Sequence, residues 1–247
     1  MSARVGLGTA LPLAAVLSLA TAAGAAYWVE YEPASGLFPE QAGWTRVIHA
    51  GGAQRYFDEG ALVLDGRASI QIVDYYRMDR PGALDPGVGE VFVAQWRLLV
   101  DEVNELEDPA VTVFSDDRWS VLFDFGEDHV RSFEEPGLVA WFEPYVYHDF
   151  ELRSIDMRAY ELFIDGHLSL AGSFHRLVSS SLIAWGDGVQ GSASLSRWDY
   201  FRFGALPEPG ALGLFVVPGT LFLSRGLRAG TSRRAPAAHK GSFKKET

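Results

Sequence analysis

Asp149 and Glu151 stand two residues apart in the alternating run His148–Ser154, so on an extended chain both carboxylates project from one face. Two carboxylates on one face could do acid–base work on a glycosidic bond. That chemistry needs a pair about 5–5.5 Å apart for retention, or about 6.5–9.5 Å for inversion. Asp124, enclosed by Phe123 and Phe125, is a further candidate. Isolated acids of this sort are more commonly solvated sheet residues, and Glu102, Glu105, Glu107 and Asp108 read as an exposed acidic loop. His49, His129, His148, His167, His175 and His239 show no His-x-x-x-His spacing that would gather them around zinc. Cysteine is absent, which removes thiol nucleophiles, thiolate metal sites and disulfide staples. There is no Gly-x-Ser-x-Gly motif, and the glycines of 186–191 do not lead into a helix, so no phosphate loop is expected. The expectation is a protein without catalysis.

Binding candidates are better placed. Trp119, Trp141 and Tyr145 could stack on sugar rings, with Trp119 and Tyr145 beside polar loop residues. Trp96 and Trp185 have the same chemistry but sit in apolar runs, where an aromatic ring usually belongs to the core. Calcium is the one cofactor the chain invites, because it takes hard oxygen ligands from loops. Asp187, in Gly186-Asp187-Gly188, is the first candidate ligand and Asp199 the second; a turn aspartate bonding its own backbone is the competing reading.

These residues have to be positioned by strands. His148–Ser154 and Ala159–Ile164 alternate polar with apolar residues, and Asp165-Gly166 supplies the positive φ of a two-residue hairpin turn. The same patterning predicts strands at 27–31, 44–50, 61–65, 68–76 (with Ile70, Ile72 and Tyr76 on one face), 129–133, 138–142, 167–175, 181–185 and 198–203. A hairpin is expected around Asp116-Asp117. The run 90–103 fits a helical period in part, but β-branched and aromatic residues crowd its first half and favour a long strand. Residues 80–89, with two prolines and three glycines, read as a loop, and 186–196 as a Gly/Ser-rich connection. Many short strands at regular spacing without an amphipathic helix imply an all-β fold, a two-sheet antiparallel jelly-roll sandwich.

Residues 1–25 begin with Arg4, continue through a leucine-rich stretch and end at Ala23-Gly24-Ala25, the pattern of a cleaved signal peptide. Residues 27–204 form the expected domain. It carries 13 arginines, no lysine and 30 acidic side chains, a formal charge of −17. Such a domain repels nucleic acid and anionic lipid, which bind through basic side chains. Leu206-Pro207-Glu208-Pro209 is followed by an apolar run to Ser224 and then by Arg225, Arg228, Arg233 and Arg234. A basic cluster behind an apolar run stays cytoplasmic and stops transfer, which leaves the acidic domain outside the cell. Residues 235–247 read as a disordered tail.

Two resemblances follow from these residues. Tyr147-His148-Asp149-Phe150-Glu151-Leu152-Arg153 with Tyr160-Glu161-Leu162-Phe163-Ile164-Asp165-Gly166 resembles the signature of concanavalin A-like and laminin-G-like domains, with Tyr147 where a tryptophan is usual. Ile183–Gly188 and Trp198–Phe203 look like the closing strands of exported bacterial members. The resemblance implies a lectin/glucanase-type jelly roll, a face that takes carbohydrate and a structural calcium. The Glu-x-Asp-x-x-Glu strand motif of the glucanase members has no copy here. Pro207-Glu208-Pro209, one apolar segment (206–234 overall) and the arginines resemble a PEP-CTERM sorting signal. That implies an exosortase-type enzyme as partner and transient membrane attachment. The apolar run is short and holds Pro218, and the chain continues past Arg234.

Overall fold

The structure, a computed structural model, describes residues 27–69, 71–79, 81–105, 108–176, 180–188 and 192–208. The expected signal helix, the apolar C-terminal helix, Pro209, Arg225, Arg228 and the tail lie outside these residues. Among the described residues no helix is long and apolar enough to cross a membrane.

The described chain is all-β. Its strands are β1 Tyr27–Tyr31, β2 Thr45–His49, β3 Gln54–Asp58, β4 Ala61–Asp65, β5 Val73–Asp79, β6 Glu90–Glu105, β7 Ala110–Asp116, β8 Ser120–Phe125, β9 His129–Ser132 and β10 Val139–Trp141. They continue as β11 His148–Ser154, β12 Ala159–Ile164, β13 His167–Ser173, β14 Ser181–Asp187 and β15 Ser192–Pro207. Sheet one runs β13-β12-β11-β6-β15-β4-β3, with β1 also on β15; sheet two runs β10-β9-β8-β7-β14-β5-β2. Every pairing is antiparallel, and the two sheets form a sandwich.

Local sequence explains the elements. Asp165 and Gly166 both have positive φ (51° and 78°), and they join β12 to β13 in the tight turn that alternation required. Glu59 and Gly60 do the same between β3 and β4, at φ 52° and 88°. Asp116 ends β7 by accepting the backbone N–H groups of Arg118 and Trp119 at 2.9 and 2.7 Å, an aspartate turn that reverses the chain into β8. The run from Glu90 is a strand, not a helix, and it continues to Glu105. Its inward residues, Phe92, Ala94, Trp96 and Leu98, are all buried.

The core is an aromatic seam between the sheets. Trp185 of β14 stacks on Phe201 of β15, with ring centroids 5.4 Å apart and planes 12° from parallel, and meets Trp198 at 5.0 Å. Trp96 of β6 meets Phe114 of β7 at 5.7 Å and Phe125 of β8 at 6.0 Å.

Three expectations need correction. β3 was not expected, because Gln54-Arg55-Tyr56-Phe57-Asp58 pairs only along a sheet edge and has no clean apolar face. β5 starts at Val73 and not at 68, since Arg67 and Ala68 occupy a turn. The 186–196 connection is shorter than expected: β14 runs through Asp187 and β15 starts at Ser192.

Replacing Trp185 with alanine removes the ring on which the seam closes and is expected to cost about 3–5 kcal/mol in urea unfolding of the full chain. Trp141→Ala, a rim position, is expected to stay within about 0.5 kcal/mol. A loss at Trp141 as large as that at Trp185 would contradict this division between core and rim.

Candidate functional site

Alternation along β8, β9 and β10 separates core from surface. Phe123, Phe125, Val130 and Ala140 face the core, which leaves Asp124, His129, Arg131 and Trp141 on the outer face of sheet two. Register places them side by side: Asp124 opposite Arg131, and His129 opposite Trp141. Asp108, just ahead of β7, reaches into the same group.

The group is tightly connected. Arg131 Nε lies 3.2 Å from Asp108 Oδ2 and 3.4 Å from Asp124 Oδ2. His129 Nε2 lies 3.0 Å from Asp108 Oδ2, and its Nδ1 lies 2.8 Å from Asp128 Oδ1. The Trp141 ring tilts over the His129 ring with centroids 4.9 Å apart, yet Trp141 remains 71% exposed. Tyr145, at φ 63°, is 59% exposed and donates its hydroxyl to Glu127 Oε2 at 3.0 Å. Gly126 is required at the β8–β9 turn: a Cβ there would sit 2.6 Å from His129 Cε1 and 2.8 Å from Asp108 Oδ1.

Burial and charge tune these groups. Burial pushes the Asp124 carboxyl up to about 7; the Arg131 guanidinium opposes that rise, while Asp108 and Glu134 add to it. Among the described residues Asp124 Oδ1 has no hydrogen-bond partner, so nothing there offsets the burial that raises the carboxyl. His129 is raised above its ordinary value by its bond to Asp108, against the effect of burial, with Asp128 adding to the rise.

The structure brings two of the three sequence-selected rings together. Trp141 and Tyr145 both contact the β8–β9 turn, whereas Trp119 stands at the opposite end of β8, roughly 20 Å away by strand length. Trp119 is half-buried, with the Arg176 guanidinium 5.4 Å above its ring. Trp96 and Trp185 are fully buried core residues.

Asp187 and Asp199 do not come together. Asp187 is fully buried beside Gly66, where a Cβ would approach its Oδ2 to 2.6 Å, and Ser194 Oγ donates to it at 3.3 Å. Among the described residues its Oδ1 has no hydrogen-bond partner, and burial first, then the neighbouring Asp74 charge, hold its carboxyl up at about 8 despite the Ser194 bond. Asp74 in turn is taken by Arg46 and the Ala53 N–H. Asp199 accepts from Arg97 at 3.4 Å. Among the described residues no three His, Asp or Glu side chains are placed to hold a metal, and these two aspartates are engaged separately. Pro207 closes β15, and the Glu208 N–H donates to Gly89 O at 2.8 Å.

Asp149 and Glu151 share the outer face of sheet one, already engaged. Asp149 accepts from Tyr200 Oη at 2.9 Å, and Glu151 binds Arg153 and Gln95. Nothing local in the chain marks Asp108, Arg131, Asp124 and His129 as a unit, because they meet only through cross-strand register. The one member with a local signal is Asp124, an acid between two phenylalanines at 123–125.

At the level of sequence, no family model and no curated protein matches the chain. The fold is shared with solved structures. A conserved carbohydrate esterase from the Shiga toxin-encoding bacteriophage phi24B superposes with a TM-score of 0.53 at 10% identity, over 72% of this chain and 97% of that one. The cellulose induced protein Cip1 superposes with a TM-score of 0.50 at 9% identity, over 71% and 96%. At such identities the likeness is one of fold.

The raised carboxyls have a stability consequence. Above about pH 4 the unfolded chain releases the Asp187 proton, while the folded chain keeps it until about pH 8. The unfolded state therefore binds fewer protons in that window, and this group makes stability fall as pH rises through it. Asp187→Asn abolishes the term, so the melting temperature of the variant relative to wild type is expected to climb steadily between pH 5 and 8. A difference independent of pH would show that Asp187 is ionised in the fold.

Proposed function

We propose that the chain is an exported, non-catalytic carbohydrate-binding protein that holds neutral glycan on the outer face of sheet two, at the β8–β9 turn. The observation that carries this reading is Trp141. In a domain that buries Trp44, Trp96, Trp185 and Trp198, this ring lies open beside hydrogen-bonding side chains. An exposed aromatic face offers apolar contact to a pyranose ring, and nearby polar groups of fixed orientation select its hydroxyls. Tyr145, Asp128 and Glu127 supply such groups. The acidity of the turn and the −17 charge of residues 27–204 disfavour polyuronates through repulsion. The fold likeness to a carbohydrate esterase and to a cellulose induced protein is consistent with glycan as ligand.

Absence of catalysis is the reading favoured by the geometry of the carboxylates. Asp124 is only 2% exposed and shares Arg131 with Asp108, which disfavours these two as the pair that flanks a glycosidic bond. The alternative is a glycan-active hydrolase, and its one support is the same Asp124, whose proton is held near neutral pH beside a second carboxylate. A purely structural matrix protein is what remains if no glycan binds. The terminal signals support delivery to the cell surface or its polysaccharide matrix, with an exosortase-type enzyme as processing partner at Pro207-Glu208-Pro209.

The test is retention of the full chain on insoluble and arrayed glycans. Neutral glycans are expected to retain it and polyuronates not. Trp141→Ala is expected to weaken binding at least ten-fold, about 1.4 kcal/mol, and Trp119→Ala less than two-fold. Undiminished binding by Trp141→Ala would overturn the assignment of this face, and turnover of a glycan lost in Asp124→Asn would favour the hydrolase.

A further inference from the structure

We propose that His129 is the positioning residue of the Trp141 platform and that it acts as the imidazolium. The inference rests on the glycan-binding reading of this face and adds a condition to it: the face takes ligand in one protonation state of one histidine.

His129 Nε2 faces Asp108 Oδ2 at 3.0 Å and His129 Nδ1 faces Asp128 Oδ1 at 2.8 Å. An ionised carboxylate only accepts, so both ring nitrogens have to donate, and a neutral imidazole has a single N–H. The ring therefore sits in this geometry only when charged. Its edges are fixed by Asp108, ahead of β7, and by Asp128, in the turn; one face lies against Trp141 of β10. A cation against an indole face is itself attractive, so the proton that secures both carboxylates also secures the ring.

The surrounding charges keep the proton in place. Asp108 Oδ2 is shared with Arg131, whose Nε also meets Asp124; Glu127, next along the turn, is engaged by Tyr145. Loss of the proton leaves one carboxylate facing a ring lone pair. Asp128, half-exposed, is the partner free to withdraw, whereas Asp108, largely buried and tied to Arg131, is not. Trp141 then loses its cationic support. The upward direction of the His129 titration agrees with this arrangement. Ligand binding is therefore present below the His129 midpoint and lost as pH rises through it.

The experiment uses the full chain labelled at histidine Cε1 and at the indole nitrogen, followed by NMR over pH. The His129 and Trp141 signals are assigned by their loss in His129→Gln and Trp141→Ala. The His129 midpoint is expected above the ordinary value of about 6.5, the Trp141 signal is expected to move with the same midpoint, and Asp128→Asn is expected to lower both. Asp124→Asn, which removes the neighbouring carboxyl that is raised to about 7, is expected to leave the coupled transition in place. A His129 midpoint at or below 6.5, or a Trp141 signal indifferent to it, overturns the inference. None of these readouts needs a glycan. In a second arm, retention on a neutral polysaccharide is expected to fall at least ten-fold across the midpoint in wild type and to be flat with pH in His129→Gln. Steady retention across a midpoint that NMR has located overturns the link to binding. Absence of retention at every pH overturns the glycan reading, and the NMR arm then decides the role of His129 by itself.

Discussion

The structure depends on aromatic packing between two sheets that nothing covalent holds together. With no cysteine in the chain, the sandwich closes because Trp185 lies flat on Phe201 and Trp96 sits among Phe114, Phe125 and Phe150. Each of these rings is fully buried, and large buried rings contribute more to stability than any other apolar side chains. The two 16-residue strands β6 and β15 pair along nearly their whole length and carry the sheet-one half of the seam. On sheet two, β7 and β14 carry the other half. The neighbours of β7 on its far side, β8, β9 and β10, then have their register set, and that register brings the functional group together.

One consequence is a division of labour between faces. The outer face of sheet one is charged, but its charges are spent on each other. Arg202 reaches Gln95 at 2.8 Å and Glu30 at 3.2 Å, and its guanidinium covers the Tyr200 ring; Arg153 and Arg97 likewise cover Phe163 and Tyr147. Each of these rings has a guanidinium over one face. At the β8–β9 turn the arrangement is reversed. The His129 ring lies against the indole, with centroids 4.9 Å apart, and the indole is 71% exposed.

How much of this was legible in the sequence depends on the range of the interactions. Period-two alternation is local, so the 147–166 hairpin, the turn at Asp165-Gly166 and the all-β sandwich could be read from the residues alone. β3 could not, because Tyr56 and Phe57 are both half-buried on an edge strand and alternation is lost there. In the site, Trp141 and Tyr145 were legible as aromatic residues in a polar stretch. Asp124 was legible only as an isolated acid between two phenylalanines; its grouping with Asp108, His129 and Arg131 was not, since Asp108 meets His129 across 21 residues of chain and only cross-strand register makes them neighbours. Asp187 was legible as a glycine-flanked aspartate, either a calcium ligand or a turn residue; its burial was not, because it depends on Gly66 and Gly186 letting carboxylate and backbone approach closely.

The central claim is that ligand meets this protein at the β8–β9 turn and not on sheet one. Backbone chemical-shift mapping of the full chain with a neutral oligosaccharide tests it most directly. The account predicts perturbations concentrated at 127–131 and 139–145, with the rows around Gln95, Glu151 and Arg202 unchanged. Perturbations centred on those sheet-one rows, with 127–131 silent, would contradict it.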